Sequence, residues 1–172
     1  PVFLAGYFGK DFIGQSLRSA EVIAWATLVF GIMLWVADKF GMTLRTIEHL
    51  RWSGVLFIGF AQILALVPGT SRSGITMTAA RILGLERLEA ARFSMLLSIP
   101  AILGAGVLSS CDLYQASDIV LGWDALIAAV LAFLTAIIAI SALMQWLRRS
   151  SFTPFVMYRI ALGIILLYWV YS

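Results

Sequence analysis

Charged residues divide the chain into apolar windows, and the lengths of those windows predict its elements. Sixteen uncharged residues separate Glu21 from Asp38, nineteen separate Arg92 from Asp112, and twenty-three separate Asp124 from Arg148. After Arg149 the only charge is Arg159, and Pro154 to Tyr171 is long enough to cross a bilayer with slight tilt. Each window reads as a transmembrane helix, the first of them capped by Ser19. A fifth window, between Arg51 and Arg72, is interrupted by Pro68-Gly69. A helix from Trp52 to Val67 rises only about 24 Å, short of a hydrocarbon core of about 30 Å. A second short stretch, Ile75 to Leu83, ends at Gly84, a residue suited to a left-handed helix stop. Two short helices around a Pro/Gly/Ser-rich turn read as a re-entrant hairpin spanning 52–83. Such backbone survives at membrane depth only against protein or a wet cavity. The pattern predicts an all-α integral membrane protein with four full transmembrane helices plus one re-entrant helical hairpin. Residues 1–172 form its single membrane domain.

Composition narrows the class. Of 172 residues, 62% are hydrophobic and 12% charged, which excludes both an ordinary soluble domain and a disordered chain. The net charge of +3 is scattered between apolar runs, with no basic stripe or tail, and nucleic acid is excluded as a partner. Membrane lipids are the expected surroundings. Charge also orients the spans. If the hairpin enters and leaves on one side, Lys39, Arg45, Arg51, Arg81, Arg87, Arg92, Arg148 and Arg149 share a face, against Lys10 and Arg18 opposite. By the positive-inside rule the first face is cytoplasmic. The loop 109–122, with Asp112 and Asp118, then lies outside, beside an aromatic belt of Tyr168, Trp169 and Tyr171.

Other features have plainer readings. Met42 to Trp52, with Arg45, Glu48 and Arg51 at helical spacing, is read as an interfacial amphipathic stretch. Arg159 is expected to snorkel to the cytoplasmic interface. His49 is read as a surface histidine, Cys111 as a small apolar filler, and Gly104-Ala105-Gly106 as a packing surface. Pro1 to Phe8 opens directly in apolar sequence and reads as the tail of a membrane helix, so the chain is expected to be an N-terminally truncated fragment.

The hairpin tip, Pro68-Gly69-Thr70-Ser71-Arg72-Ser73-Gly74-Ile75-Thr76, carries the candidate chemistry. A charge held within the membrane is costly, so Arg72 is read as functional. Gly69 and Gly74 permit backbone conformations closed to other residues, and the second half-helix aims its N-terminal dipole into the turn. Thr70, Ser71, Ser73 and Thr76 add hydroxyls, and Arg72 adds a planar fork suited to phosphate oxygens. The expected result is a buried anion cradle, with Gln62 either bracing the turn or bonding a neighbouring helix. No carboxylate is close in sequence, since Glu86 and Glu89 follow Gly84. An anion cradle at a broken helix also suits a transporter or flippase for an anionic prenyl lipid or small anion, which is the competing reading.

The stretch Gly59-Phe60-Ala61-Gln62 through Ala65 to Thr76 resembles the second signature of the undecaprenyl-diphosphate phosphatases, also called bacitracin-resistance proteins. Phe93-Ser94 through Ile99-Pro100, and Phe152 through Pro154-Phe155 to Tyr158-Arg159, resemble the following spans of that family. The likeness covers the chain as the C-terminal two-thirds of such a protein. It implies hydrolysis of undecaprenyl diphosphate to undecaprenyl phosphate and inorganic phosphate, recycling the lipid carrier of cell-wall synthesis, in the bacterial inner membrane. The fold it implies is an inverted repeat with two re-entrant hairpins. Arg72 and Ser71 are then the catalytic residues, with Gly69, Thr70, Ser73, Gly74 and Thr76 around the diphosphate and Gln62 supporting. A divalent cation, Mg2+ or Ca2+, is implied as cofactor, its ligands expected outside this chain. The family's first signature has no counterpart here. Oligomeric state stays open, a homodimer among the options.

Overall fold

The computed structural model describes residues 1–9, 17–42, 44–116 and 119–172. Its helices are α1 (Val2–Phe8), α2 (Ala20–Phe40), α3 (Trp52–Ala61), α4 (Arg72–Ile82), α5 (Arg87–Ala116), α6 (Ile119–Leu147) and α7 (Thr153–Tyr171). Two 3-10 turns, Ile47–His49 and Gln62–Leu66, precede and follow α3. Among the described residues the fold is all-helical, apart from an isolated parallel bridge between Arg45 and Leu85. Ser19 caps α2 as its sequence position predicts, its hydroxyl accepting from the Val22 N–H at 3.2 Å. Three helical segments, Ala20–Phe40, Ala125–Leu147 and Thr153–Tyr171, are long and apolar enough to cross a membrane. α5 is a single helix of 30 residues that carries Pro100 internally.

Glycines set how closely α2 and α7 approach. A Cβ on Gly163 would lie 3.0 Å from the Cβ of Leu28, and one on Gly31 would lie 3.3 Å from the Cβ of Arg159. At one end of this pair the Tyr171 hydroxyl donates to the Glu21 carboxylate. At the other end the chain turns into the hairpin. The start of α3 meets the end of α4, where a Cβ on Gly54 would stand 3.3 Å from Leu83. The flanking backbones are tied together as well. The N–H groups of Leu44 and Arg45 donate to the Gly84 carbonyl at 3.2 and 3.0 Å, and the Glu86 N–H donates to the Arg45 carbonyl at 3.0 Å. The segment 52–82 therefore enters and leaves at the same end of the bundle.

Gly84 has φ +87, and the Leu85 N–H reaches back to the Ala80 carbonyl at 3.1 Å, so α4 stops in a left-handed turn as expected. One apolar cluster, around Ile58, Ala79, Ala80, Leu85 and Ala90, joins α3, α4 and the start of α5. A second, around Leu34, Met77, Ala91, Leu147, Phe152 and Val156, joins α2, α4, α5, α6 and α7.

Two expectations do not hold. The stretch from Met42 to Trp52 is not an amphipathic helix. Its described residues form the Arg45–Leu85 bridge and a single 3-10 turn, with the Ile47 N–H donating to Glu89 at 3.3 Å. Backbone bonds to the α4–α5 connection compete with helix formation and win. The segment read as an outer loop, 109–122, is largely helical, since α5 runs to Ala116 and α6 starts at Ile119. Lys10 and Asp118, used in orienting the spans, lie outside the described residues. His49 is exposed, its Nδ1 within 2.8 Å of the Thr46 hydroxyl, as a surface histidine should be. Gly104 also serves packing, because a Cβ there would press to 2.6 Å on the Phe3 ring of α1.

Candidate functional site

The broken helix places the tip. After the 3-10 turn Gln62–Leu66, Gly69 takes φ +90 and Ser71 takes φ +65, the one non-glycine residue with positive φ among those described. A serine in that region is strained, and such strain persists where the surroundings hold it and clusters at functional sites. Ser71 caps α4, its Oγ accepting from the Gly74 N–H at 3.3 Å and lying 3.5 Å from the Ser73 Oγ. Gly69 sits against α2 so closely that a Cβ would collide with the Ile23 carbonyl oxygen. Glycine is required there on both grounds.

Arg159 is the residue at the tip that sequence reasoning misplaced. Its guanidinium does not snorkel to the interface. Nη2 donates to the carbonyls of Gly69 at 2.8 Å and Thr70 at 2.9 Å. The turn at Pro68 leaves these carbonyls outside any helical ladder, and a buried carbonyl needs a donor. The Thr27 hydroxyl, which donates to the Ile23 carbonyl at 2.7 Å, also lies 3.3 Å from the Gly69 carbonyl oxygen. Gly74 makes room for the arginine, since a Cβ there would stand 2.7 Å from Arg159 Nη1. A usable signal was present. A lone arginine two turns inside an apolar helix is costly wherever it points, and unpaired carbonyls at a helix break are its natural partners.

The predicted residues do not all meet in one place. Ser71, Ser73, Gly69 and Gly74 line a cavity of about 470 Å³ with Thr27 and Arg159, and its remaining walls are apolar. Arg72 lines a different cavity, of about 840 Å³, with Gln62 and residues of α1. Arg72 Nη1 also donates to the Ser98 carbonyl of α5 at 3.4 Å. The tip thus meets one guanidinium on each side, its own Arg72 toward α1 and, on the α2 side, Arg159 arriving from α7. Thr76 lines neither of these two cavities. It is 2% exposed, and its hydroxyl bonds the Arg72 and Ser73 carbonyls and, at 2.7 Å, the Ser94 Oγ. Thr70 is fully buried, and its Oγ1 has no hydrogen-bond partner.

The donor set at the tip consists of hydroxyls, amides and guanidinium groups. Among the described residues no group of three or more His, Cys, Asp or Glu side chains gathers to hold a metal. The buried carboxylate of Asp38 is committed elsewhere, 2.7 Å from Arg87 Nε and 3.5 Å from Arg81 Nε. The described tip residues therefore suit an anion and do not fit a divalent cation.

Long apolar helices and a broken-helix hairpin whose tip is lined by hydroxyls and guanidinium groups define the class, an α-helical protein of the multi-pass membrane type. The chain belongs to the family described as Bacitracin resistance protein BacA, which matches residues 1–165. It is 49% identical over 170 residues to the undecaprenyl-diphosphatase of Alcanivorax borkumensis, covering 98% of this chain and 64% of that protein. It is 54% identical over 166 residues to undecaprenyl-diphosphatase 1 of Rhodospirillum rubrum, covering 96% and 58%. With the undecaprenyl-diphosphatase of Alteromonas mediterranea it shares 45% identity over 172 residues, covering 100% and 65%. The chain spans less than two thirds of the length of these relatives.

Proposed function

We propose that this chain carries the diphosphate-binding part of an undecaprenyl-diphosphate phosphatase of the bacterial inner membrane. The reaction is release of inorganic phosphate from the lipid diphosphate, leaving the monophosphate carrier. The observation that carries this reading is the hairpin tip. A strained, hydroxyl-rich helix N-terminus flanked by Arg72 and Arg159 neutralises phosphate charge beside walls that accept an apolar chain. In this reading α2, α5, α6 and α7 are full spans and α3–α4 is re-entrant, entering from the cytoplasmic side, within an inverted-repeat architecture. Arg72 withdraws charge from the diphosphate on the α1 side, and the Ser71 and Ser73 hydroxyls with Arg159 hold its oxygens from the other. Gly69, Thr70, Gly74 and Thr76 shape and brace the turn, and Gln62 supports Arg72 from the same cavity.

Phosphate-ester cleavage also needs an activated nucleophile and a partner for proton transfer or metal binding. Magnesium or calcium is the cation expected for this chemistry. The described tip residues offer it no carboxylate. The reading is tested by reconstituting the full-length protein in vesicles with undecaprenyl diphosphate and measuring free phosphate. Release above protein-free vesicles is the expected result. Movement of the lipid across the bilayer without phosphate release would replace the phosphatase reading with that of a transporter.

A further inference from the structure

Asp38, near the C-terminal end of α2, is 6% exposed, and its carboxylate joins three other elements. Oδ1 accepts from Arg87 Nε of α5 at 2.7 Å and lies 3.5 Å from Arg81 Nε of α4. Oδ2 accepts from the Phe152 N–H, at the N-terminus of α7, at 3.3 Å. Arg81 is fully buried and also donates to the carbonyls of Asp38, Gly41 and Leu85. The buried Asp38 and Arg81 persist because they pair in charge and because the Arg81 Nη atoms are hydrogen-bonded to carbonyls. The bond to Phe152 is different in kind. It does not pair charge, and it fixes where α7 begins, since a helix N-terminus has free amide donors that favour a carboxylate.

The position of α7's start decides the position of the Phe152 ring. That ring is 2% exposed and forms one wall of the 470 Å³ cavity together with Leu34, Met77 and Leu143. Leu34 and Met77 each lie one helical turn before a member of the ion cluster, Asp38 and Arg81, so these apolar side chains stand directly above it. Thr27, which touches the hairpin tip, is two turns further along α2, about 10 Å away. The cavity therefore has a polar end at the tip and an apolar floor over the charged cluster. On α7, Phe155 and Tyr158 also line it, and they are 43% and 67% exposed.

We propose that Asp38 is a positioning residue. Through the Phe152 amide it holds the Phe152 ring as the floor that closes the cavity toward the arginine-rich end. An amphiphile's hydrocarbon chain then enters sideways from lipid, past Phe155 and Tyr158. The closure stands on the geometry alone, whereas its consequence for a substrate chain rests on the phosphatase reading above.

The test uses the full-length protein in vesicles permeabilised to reagent, with Cys111→Ser and a reporter Leu143→Cys. The probe is a charged maleimide that does not enter lipid. Asp38→Asn and Phe152→Ala should each raise the labelling rate about tenfold over the parent. In turnover, Asp38→Asn should raise KM for a long-chain polyprenyl diphosphate about fivefold, with kcat retained and KM for a short, water-soluble prenyl diphosphate unchanged. Folded Asp38→Asn protein labelled at the parent rate overturns the proposal. If that variant does not fold, Phe152→Ala decides, because it leaves the ion cluster intact, and labelling at the parent rate again overturns the proposal. Equal KM changes for both chain lengths would also contradict it. Absence of phosphate release from the parent would count against the phosphatase reading, while the labelling rates would still decide whether Asp38 closes the floor.

Discussion

Arg159 of α7 donates from Nη2 to the carbonyl of Gly69 at 2.8 Å, tying the last helix to the tip of a hairpin ninety residues earlier in the chain. The contact makes the turn a shared product of α2, α4 and α7. A second donation, to Thr70 at 2.9 Å, satisfies the next carbonyl of the same break. Replacing Arg159 with methionine keeps much of its volume and leaves both acceptors short of a donor. Each bond to a charged group contributes about 1.5–3 kcal/mol, so thermal unfolding in detergent should shift down by several degrees. Arg159→Lys should recover only part of the loss, because its ammonium stops one bond short of the position of Nη2, from which both carbonyls are reached. An unchanged midpoint in Arg159→Met would show that the contact does not hold the turn.

Gly69 and Gly106 form a matched pair for a glycine test. At Gly69 the φ of +90 and the Ile23 carbonyl both oppose a Cβ, whereas at Gly106 a Cβ meets no atom of the described residues within 4 Å. Gly69→Ala should lower stability by about 3 kcal/mol or more, with loss of folded protein on size-exclusion chromatography. Gly106→Ala should be neutral or stabilising by about 0.5–1 kcal/mol, since alanine is the better helix former. Equal behaviour of the two variants would contradict the close approach of the turn to α2.

How much of this was legible in the sequence differs from residue to residue. The breaks that bound the two short helices were, because Pro68-Gly69 and Gly84 interrupt an apolar window at residues that end helices. Capping by Ser19 was legible for the same local reason. The environment of Asp38 was not. As the first charge after an apolar run it reads as the water-facing end of a span, and only α4, α5 and α7 together bury it. The division of the tip was also hidden. Ser71 leaves the helical conformation at φ +65, and with that local backbone Ser71 and Ser73 share one cavity while Arg72 lines another, though their adjacency invites reading all three together.

Thr76 separates bracing from binding. Its hydroxyl bonds Ser94 at 2.7 Å within the α4–α5 contact, and it is buried away from both cavities at the tip. Thr76→Val leaves the Ser94 hydroxyl short of a partner and should cost about 1–2 kcal/mol in stability. Turnover measured below the unfolding transition should stay within about threefold of the parent. A large rise in KM with unchanged stability would instead make Thr76 a ligand of the substrate.

In the proposed phosphatase reading, binding of the diphosphate at the hairpin tip depends above all on Arg72. The decisive measurement is phosphate release from undecaprenyl diphosphate by the full-length protein carrying Arg72→Ala, with folding verified by its elution profile. A loss of about a hundredfold or more in kcat/KM is expected, with Arg72→Lys restoring little of it for want of the paired contacts. Near-normal turnover by folded Arg72→Ala protein would contradict diphosphate binding at the tip.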